Sequence, residues 1–275
     1  MARVRHKPAP DLPLTSSTPQ RLPRKQQQLF REVLELLEAK RIPFAVSGAF
    51  ALQQHTGICR DTKDLDLFLS ARDASAALSC LHDQGFHCEV ADPVWLAKAH
   101  RDSYFVDLIT GMSNGVIVVD QSWIRHSRPA NVVGVETRVL APEELIISKL
   151  FVTRRERFDG ADIAHIIYAT RGKVDWDRLL RQLGEHWEIL LWALQLFRYV
   201  YPAQTAYVPS RLWKKLIGRL RDALANPNPK DDFRGSLIDE FMFAIDLKEW
   251  GLKNVLSEYR ARAPKIRMAR LASCA

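Results

Sequence analysis

Asp64 and Asp66 fall two residues apart in Thr62-Lys63-Asp64-Leu65-Asp66-Leu67-Phe68-Leu69. If that run is a strand, both carboxylates project from one face while Leu65 and Leu67 enter the other. Like charges held side by side are costly unless something positive lies between them. Magnesium meets that need, because it takes carboxylate oxygens together with the oxygens of a phosphorylated substrate. A third carboxylate, Asp107, sits inside the apolar run Tyr104-Phe105-Val106-Asp107-Leu108-Ile109. A charge so placed requires a partner or a metal. Asp-x-Asp alone is common by chance, and Asp107 alone reads equally well as a solvent-facing strand end. The argument rests on order: strand, small-residue turn, helix, strand with alternate carboxylates, then a later strand with a third.

The turn is Ser47-Gly48, which follows Phe44-Ala45-Val46. Gly48 lets the backbone bend tightly and leaves room for a phosphate. A helix starting there aims unpaired N–H groups and the positive end of its dipole at that phosphate. Ser47 adds a hydroxyl donor, and Arg60 and Lys63 are placed to neutralise further phosphate charge.

These residues need elements to carry them. Apolar residues at helical spacing (Leu29, Phe30, Val33, Leu34, Leu36, Leu37) predict a helix from about Lys25. Short strands are expected at 44–46, 64–69, 86–90 and 104–109, with strand-like runs at 116–119 and 132–139. Helices are expected at 49–55, 71–84 (Asp73 as N-cap, Gly85 as stop) and 93–100. Beyond Pro142 the pattern turns helical: 142–155, 159–170, 175–183, 186–200 and 210–225. Asn226-Pro227-Asn228-Pro229 is a loop. The change from mixed α/β to all-α places a boundary near residue 141. The expected organisation is a flexible basic arm (1–22), a mixed α/β domain (23–141), a helical domain (142–258) and a basic tail (259–275).

The bulk numbers set limits. The chain carries 275 residues, 47% hydrophobic and 26% charged, as an ordinary globular protein does. Its net charge of +8 is concentrated at the ends, which carry +5 each and leave −2 for the body. A basic groove along the body is therefore not implied, although basic tails add sequence-independent attraction to phosphate. No apolar run is long enough to span a membrane, and no apolar stretch follows the N-terminal basic residues as in a secretory signal. Cys59, Cys80, Cys88 and Cys274 lack metal-ligand or redox spacing, so reduced thiols and a cytoplasmic setting are expected. His82, His87, His165 and His186 likewise lack partners at ligand spacing. Trp187 and Trp192, with Leu191, Leu194 and Phe197, read as a core helix rather than a base-stacking platform. There is no Walker-type phosphate loop.

Ser47, Gly48, Asp64, Asp66 and Asp107 in this order resemble the DNA polymerase beta-like nucleotidyltransferase superfamily. Within it, the chain is similar to the minimal nucleotidyltransferases and to the bacterial toxin-type enzymes related to AbiEii. The stretches Ala141-Pro142-Glu143-Glu144-Leu145-Ile146-Ile147-Ser148-Lys149-Leu150 and Arg154-Arg155-Glu156-Arg157-Phe158-Asp159-Gly160-Ala161-Asp162-Ile163 resemble the helical region of the toxin-type relatives. The resemblance covers about residues 40–170. It implies an α/β (α+β) fold, with a small mixed sheet flanked by helices and followed by a helical C-terminal domain. It implies two Mg2+ ions on Asp64, Asp66 and Asp107, and a nucleoside triphosphate as substrate. The implied reaction moves a nucleoside monophosphate to an acceptor hydroxyl on RNA, a protein or a small molecule. Asp107 would help deprotonate that hydroxyl, and Ser47-Gly48 would hold the β- and γ-phosphates. Lys149 would reach the triphosphate or acceptor, and Asp159 and Asp162 would order the helices beside the site. On residue type alone, Lys149 reads equally as a surface lysine and the two aspartates as cap residues. A toxin–antitoxin partner belongs to the same resemblance. Two departures, Ser47 where most relatives have Gly and the long interval from Gly48 to Asp64, motivate a second reading. That reading is a catalytically weak nucleotide-binding module in a toxin–antitoxin pair or a regulator.

Overall fold

The computed structural model describes residues 22–267. The arm expected over residues 1–22, apart from Leu22, and the last part of the tail expected over 259–275 lie outside the described residues. The first helix, α1 (Arg24–Ala39), buries Leu29, Phe30, Val33, Leu34 and Leu37 on one face, as their spacing predicts. It leads into β1 (Ala45–Val46), α2 (Gly48–Thr56), β2 (Asp64–Phe68), α3 (Ala71–Asp83), β3 (His87–Asp92), β4 (Leu96–Arg101) and β5 (Tyr104–Ile109). Next come α4 (Gln121–His126), β6 (Arg128–Val132) and β7 (Val135–Val139).

The seven strands form one mixed sheet in the order β3-β4-β5-β2-β1-β7-β6. β2 runs parallel to β5, and β1 parallel to β7; the other neighbours are antiparallel. β1 has two residues, yet it joins the halves of the sheet, with Ala45 and Val46 fully buried between β2 and β7. In β2 the expected alternation holds: Leu65 and Leu67 are buried to 0% exposure, while Asp64 and Asp66 stay partly open on the other face.

Past the sheet lie α5 (Pro142–Leu150), α6 (Gly160–Ala169), α7 (Trp176–Leu183), α8 (Trp187–Val200) and α9 (Ser210–Ala225). The short α10 (Gly235–Asp239), α11 (Ala244–Lys248) and α12 (Leu256–Arg262) follow. α5 and α6 pack on α2, so the buried side chains form one cluster running from Leu29 to Ile266. Among the described residues no helix is long and apolar enough to cross a membrane.

Several local expectations are corrected. Residues 93–100 are not a helix. Pro93–Trp95 turn, and Leu96–Arg101 form β4, because hydrogen bonding to β3 and β5 on both sides outweighs the helical leaning of Leu-Ala-Lys-Ala. Residues 116–119 make one isolated bridge, Gly111 to Val118, rather than a strand. The run 132–139 is the end of a hairpin, turned at Val133 (φ 47°) and Gly134 (φ 86°). The N-cap of α3 is Ser70, whose Oγ accepts from the Asp73 N–H at 3.2 Å and donates to Asp73 Oδ2 at 2.7 Å. α5 stops at Leu150, and residues 151–159 form a loop that bridges Thr153 to Phe158. Trp192 is half exposed, tilted against Phe158, while Leu191, Leu194 and Phe197 take the core positions.

Candidate active site

The parallel register of β2 and β5 places Asp66 beside Asp107. Asp64, one pleat earlier on the same face, brings its carboxylate to the same spot, and one oxygen from each of the three lies within 4.8 Å of the other two. Among the described residues this is the one group of His, Cys, Asp or Glu side chains so arranged. The antiparallel register of β4 sets Lys98 opposite Asp107, so Lys98, Asp107 and Asp66 form a row across three adjacent strands. Lys98 Nζ donates to Asp107 Oδ1 at 2.6 Å and lies 4.5 Å from the Phe105 ring centre.

The turn after β1 closes against this row. The Ser47 N–H donates to the Asp66 carbonyl at 2.9 Å. Gly48 has φ +56°, and a Cβ on it would stand 1.9 Å from Asp66 Oδ2. Both conformation and space therefore demand glycine. Ser47 occupies the N-cap of α2, but its side chain makes no cap bond. The first residues of that nine-residue helix line the cleft together with the carboxylates, and a helix start carries unpaired N–H groups that suit an anion. Thr62 Oγ1 donates to Asp64 Oδ1 at 2.6 Å, and the Thr62 carbonyl accepts from Nε2 of the buried Gln26 at 2.9 Å.

A lattice of charges forms the opposite wall. Lys149, only 7% exposed, reaches Asp159 Oδ2 at 3.0 Å and Asp162 Oδ2 at 2.7 Å. Arg157 holds both oxygens of Asp159 at 3.0 Å, and Arg60 grips both oxygens of Asp162, one of them at 3.0 Å. Two expectations are thereby corrected. Lys149 is not a surface lysine. Asp159 stands at the N-cap position of α6, but its side chain caps nothing, because Lys149 and Arg157 take both oxygens.

Electrostatics follow from this layout. Burial, then the neighbouring Asp64 and Asp107 charges, push Asp66 from 3.8 up to about 7, with Lys149 and Arg157 opposing. Burial also raises Asp107, against the bond from Lys98. Burial alone would raise Asp159, but the Arg157 bonds and the Lys149 charge hold it below its ordinary value.

The cleft is about 440 Å3 and is lined by all three carboxylates, by Ser47 and Gly48, and by Arg60 and Lys149. Lys63 is exposed and is not among its lining residues. A second chamber of about 410 Å3 shares Trp95, Ser113 and Arg154 with the cleft, and the C-terminal residues Ser236–Phe241, Leu256 and Arg260 complete it. Arg260, in the segment expected to be a tail, clamps Asp92 with two 2.9 Å bonds.

Lys98, Thr62 and Gln26 were not marked by sequence reasoning. Lys98 was hidden by the helix expected at 93–100, and Thr62 lies in a loop with no period. Gln26 had a signal: it is a polar residue on the apolar face of α1 and is buried there.

The donor set fits magnesium: three carboxylate oxygens converge, and the adjacent backbone approaches so closely that a Cβ cannot enter. A mixed sheet with a glycine turn beside paired and third aspartates is a nucleotidyltransferase arrangement. Residues 26–188 match the family described as "Nucleotidyl transferase of unknown function (DUF2204)", and the chain belongs to that family. No curated protein matches it. Among solved structures it is similar to an antigenic nucleotidyltransferase-like protein from Paracoccidioides brasiliensis, with 19% identity over 68% of this chain and 95% of that one and a TM-score of 0.45. It is also similar to the antibiotic-resistance factor ANT(2″)-Ia, with 16% identity over 65% and 94% and a TM-score of 0.40. A lincosamide antibiotic adenylyltransferase, LnuA, gives 17% identity over 53% and 96% and a TM-score of 0.38. At such scores these are likenesses only.

Proposed function

We propose that this chain moves a nucleoside monophosphate from a nucleoside triphosphate to an acceptor hydroxyl, with Asp64, Asp66 and Asp107 as its metal-holding catalytic residues. The observation that carries the reading is the convergence of these carboxylates against the Gly48 backbone. Two magnesium ions on the three aspartates would supply charge neutralisation at the transferring phosphate and acidify the acceptor hydroxyl.

The chain's own groups do the rest. The Ser47-Gly48 turn and the start of α2 offer N–H donors to the β- and γ-phosphates. Arg60 and Lys149 contribute positive charge from the facing wall. Asp107, whose Oδ1 accepts from Lys98, would help take the proton of the acceptor hydroxyl. Most of the rate enhancement comes from placing the two reactants and stabilising charge.

The second chamber is where we place the acceptor. It shares Trp95, Ser113 and Arg154 with the cleft, and its lining from Ser236–Phe241, Leu256 and Arg260 lies outside the stretch that matches the family. Acceptor choice therefore belongs to the C-terminal segment; RNA, a protein hydroxyl and a small molecule are the candidates. The Lys149-Asp159-Asp162 lattice supports the toxin-type affinity, since those motif residues meet at the cleft.

The test is incubation of the whole chain with labelled nucleoside triphosphates, magnesium and separate pools of RNA, protein and small metabolites. Label should move to one pool, and Asp66→Asn should abolish the transfer while the chain stays folded. Magnesium-dependent nucleotide binding with no transfer to any pool sinks the enzyme reading in favour of a binding module.

A further inference from the structure

Lys98 is bonded to one of the three carboxylates, Asp107, yet it does not line the cleft. It approaches from β4, behind Asp107, and its ammonium touches one oxygen of that carboxylate. Side-chain exposure is 23% for Lys98 and 13% for Asp107, so the bond is largely shielded from water. The Phe105 ring, on the same face of β5, supports the ammonium from below. Three contacts thus fix where Lys98 points: the strand register, the ring and the carboxylate.

An ordinary exposed cross-strand ion pair contributes little and would be of no interest. This pair differs because its acid is shared. Asp107 presents one oxygen to Lys98, while its carboxylate also belongs to the group that spans 4.8 Å with Asp64 and Asp66. Resting on the function proposed above, we propose that Lys98 is a positioning residue that holds Asp107 to a single free oxygen in the cleft. The ammonium engages a lone pair of the second oxygen, which disfavours closing on a cation with both. It also puts a positive charge behind the acid triad, which weakens cation binding there. Lys98 therefore sets geometry at the expense of metal affinity.

Opposite signs make this testable. Without the ammonium, a cation meets a more negative site and a carboxylate with two free oxygens, so it binds more tightly. The same freedom spoils the near-octahedral arrangement that magnesium requires, so transfer slows. In the full chain at low salt, Mn2+ binding measured by electron paramagnetic resonance without nucleotide should tighten about threefold to tenfold in Lys98→Met. Transfer turnover should fall about tenfold or more, with KM for the nucleoside triphosphate within about twofold of the parent. Lys98→Arg, which keeps charge and donor, should stay near the parent in both. A merely structural lysine would weaken both properties together or change neither. Should Lys98→Met fail to fold, Lys98→Gln removes the charge at similar length and should show the same gain in manganese affinity. Manganese binding that is unchanged or weaker in the neutral variants overturns the proposal, as does full turnover in Lys98→Met. A parent chain that transfers no label sinks the nucleotidyl reading instead, and the manganese comparison still judges Lys98.

Discussion

Gly48 and Asp66 approach so closely that a methyl group on the one would stand 1.9 Å from a carboxylate oxygen of the other. The turn and the metal-holding strand are thus built as one piece, tied again by the Ser47 N–H to the Asp66 carbonyl. Gly48→Ala must strain a backbone at φ +56° and displace the carboxylate as well. We expect a stability loss of about 1–3 kcal/mol, read by denaturant unfolding. Nucleotidyl transfer should fall by at least about a hundredfold, since misplacement near 1 Å at a reacting centre costs that much. Normal transfer in a folded Gly48→Ala chain would contradict the geometry.

Asp66 also makes stability depend on pH in a defined direction. Its carboxyl, near 3.8 when unfolded and about 7 in the fold, keeps its proton longer in the folded chain. Its contribution is therefore fully present below the unfolded value and is lost as pH rises through the folded one. In chelator, Tm should drop by several degrees between about pH 5 and about pH 8, and Asp66→Asn should flatten that drop. Added magnesium, which favours the ionised carboxylates, should raise Tm more at the upper end of this range. A metal-free Tm that climbs over the same window because of Asp66 would be the wrong sign.

What could be seen in the sequence followed periodicity. Asp64, Asp66 and Asp107 stood out because carboxylates interrupt or alternate with apolar residues in short strands, and the sheet places them side by side. Lys98 did not, because Leu96-Ala97-Lys98-Ala99 consists of good helix formers whose strand state comes from neighbours on both sides. The hairpin β6–β7 was missed for a related reason: Val133, a β-branched residue, adopts φ 47° and disguises the turn that Gly134 completes. Lys149 was legible only through family resemblance. Its partners are ten and thirteen residues away, across a loop that a continuous helix over 142–155 would not contain.

Thr62 and Gln26 form a chain of support behind Asp64 that can be tested apart from the metal ligands. The Thr62 hydroxyl fixes one Asp64 oxygen at 2.6 Å, and Gln26 anchors the Thr62 backbone. Thr62→Val keeps the shape and removes the bond. Removing such a partner of a metal ligand typically weakens metal binding by about tenfold to a hundredfold. Calorimetric Mn2+ titration should show a loss in that range, with thermal stability nearly unchanged. Parent-like affinity would mean that the loop backbone alone positions Asp64.

The charge lattice on the facing wall separates a role in folding from a role in substrate binding. Asp162 holds Lys149 at 2.7 Å and both terminal nitrogens of Arg60, with its side chain only 5% exposed. Asp162→Ala leaves a buried lysine with Asp159 alone and deprives Arg60 of that partner, which should cost about 3 kcal/mol, as for a broken buried pair. For a chain of this size that is a Tm decrease of roughly 6–12 °C by calorimetry. Lys149→Met should behave differently. Arg157 still neutralises Asp159 and Arg60 still neutralises Asp162, so the fold is expected to lose less, whereas KM for the nucleoside triphosphate should rise about tenfold as a phosphate-facing charge disappears. Equal losses of stability in the two variants, with KM unmoved in both, would make the lattice a structural clamp with no part in holding substrate.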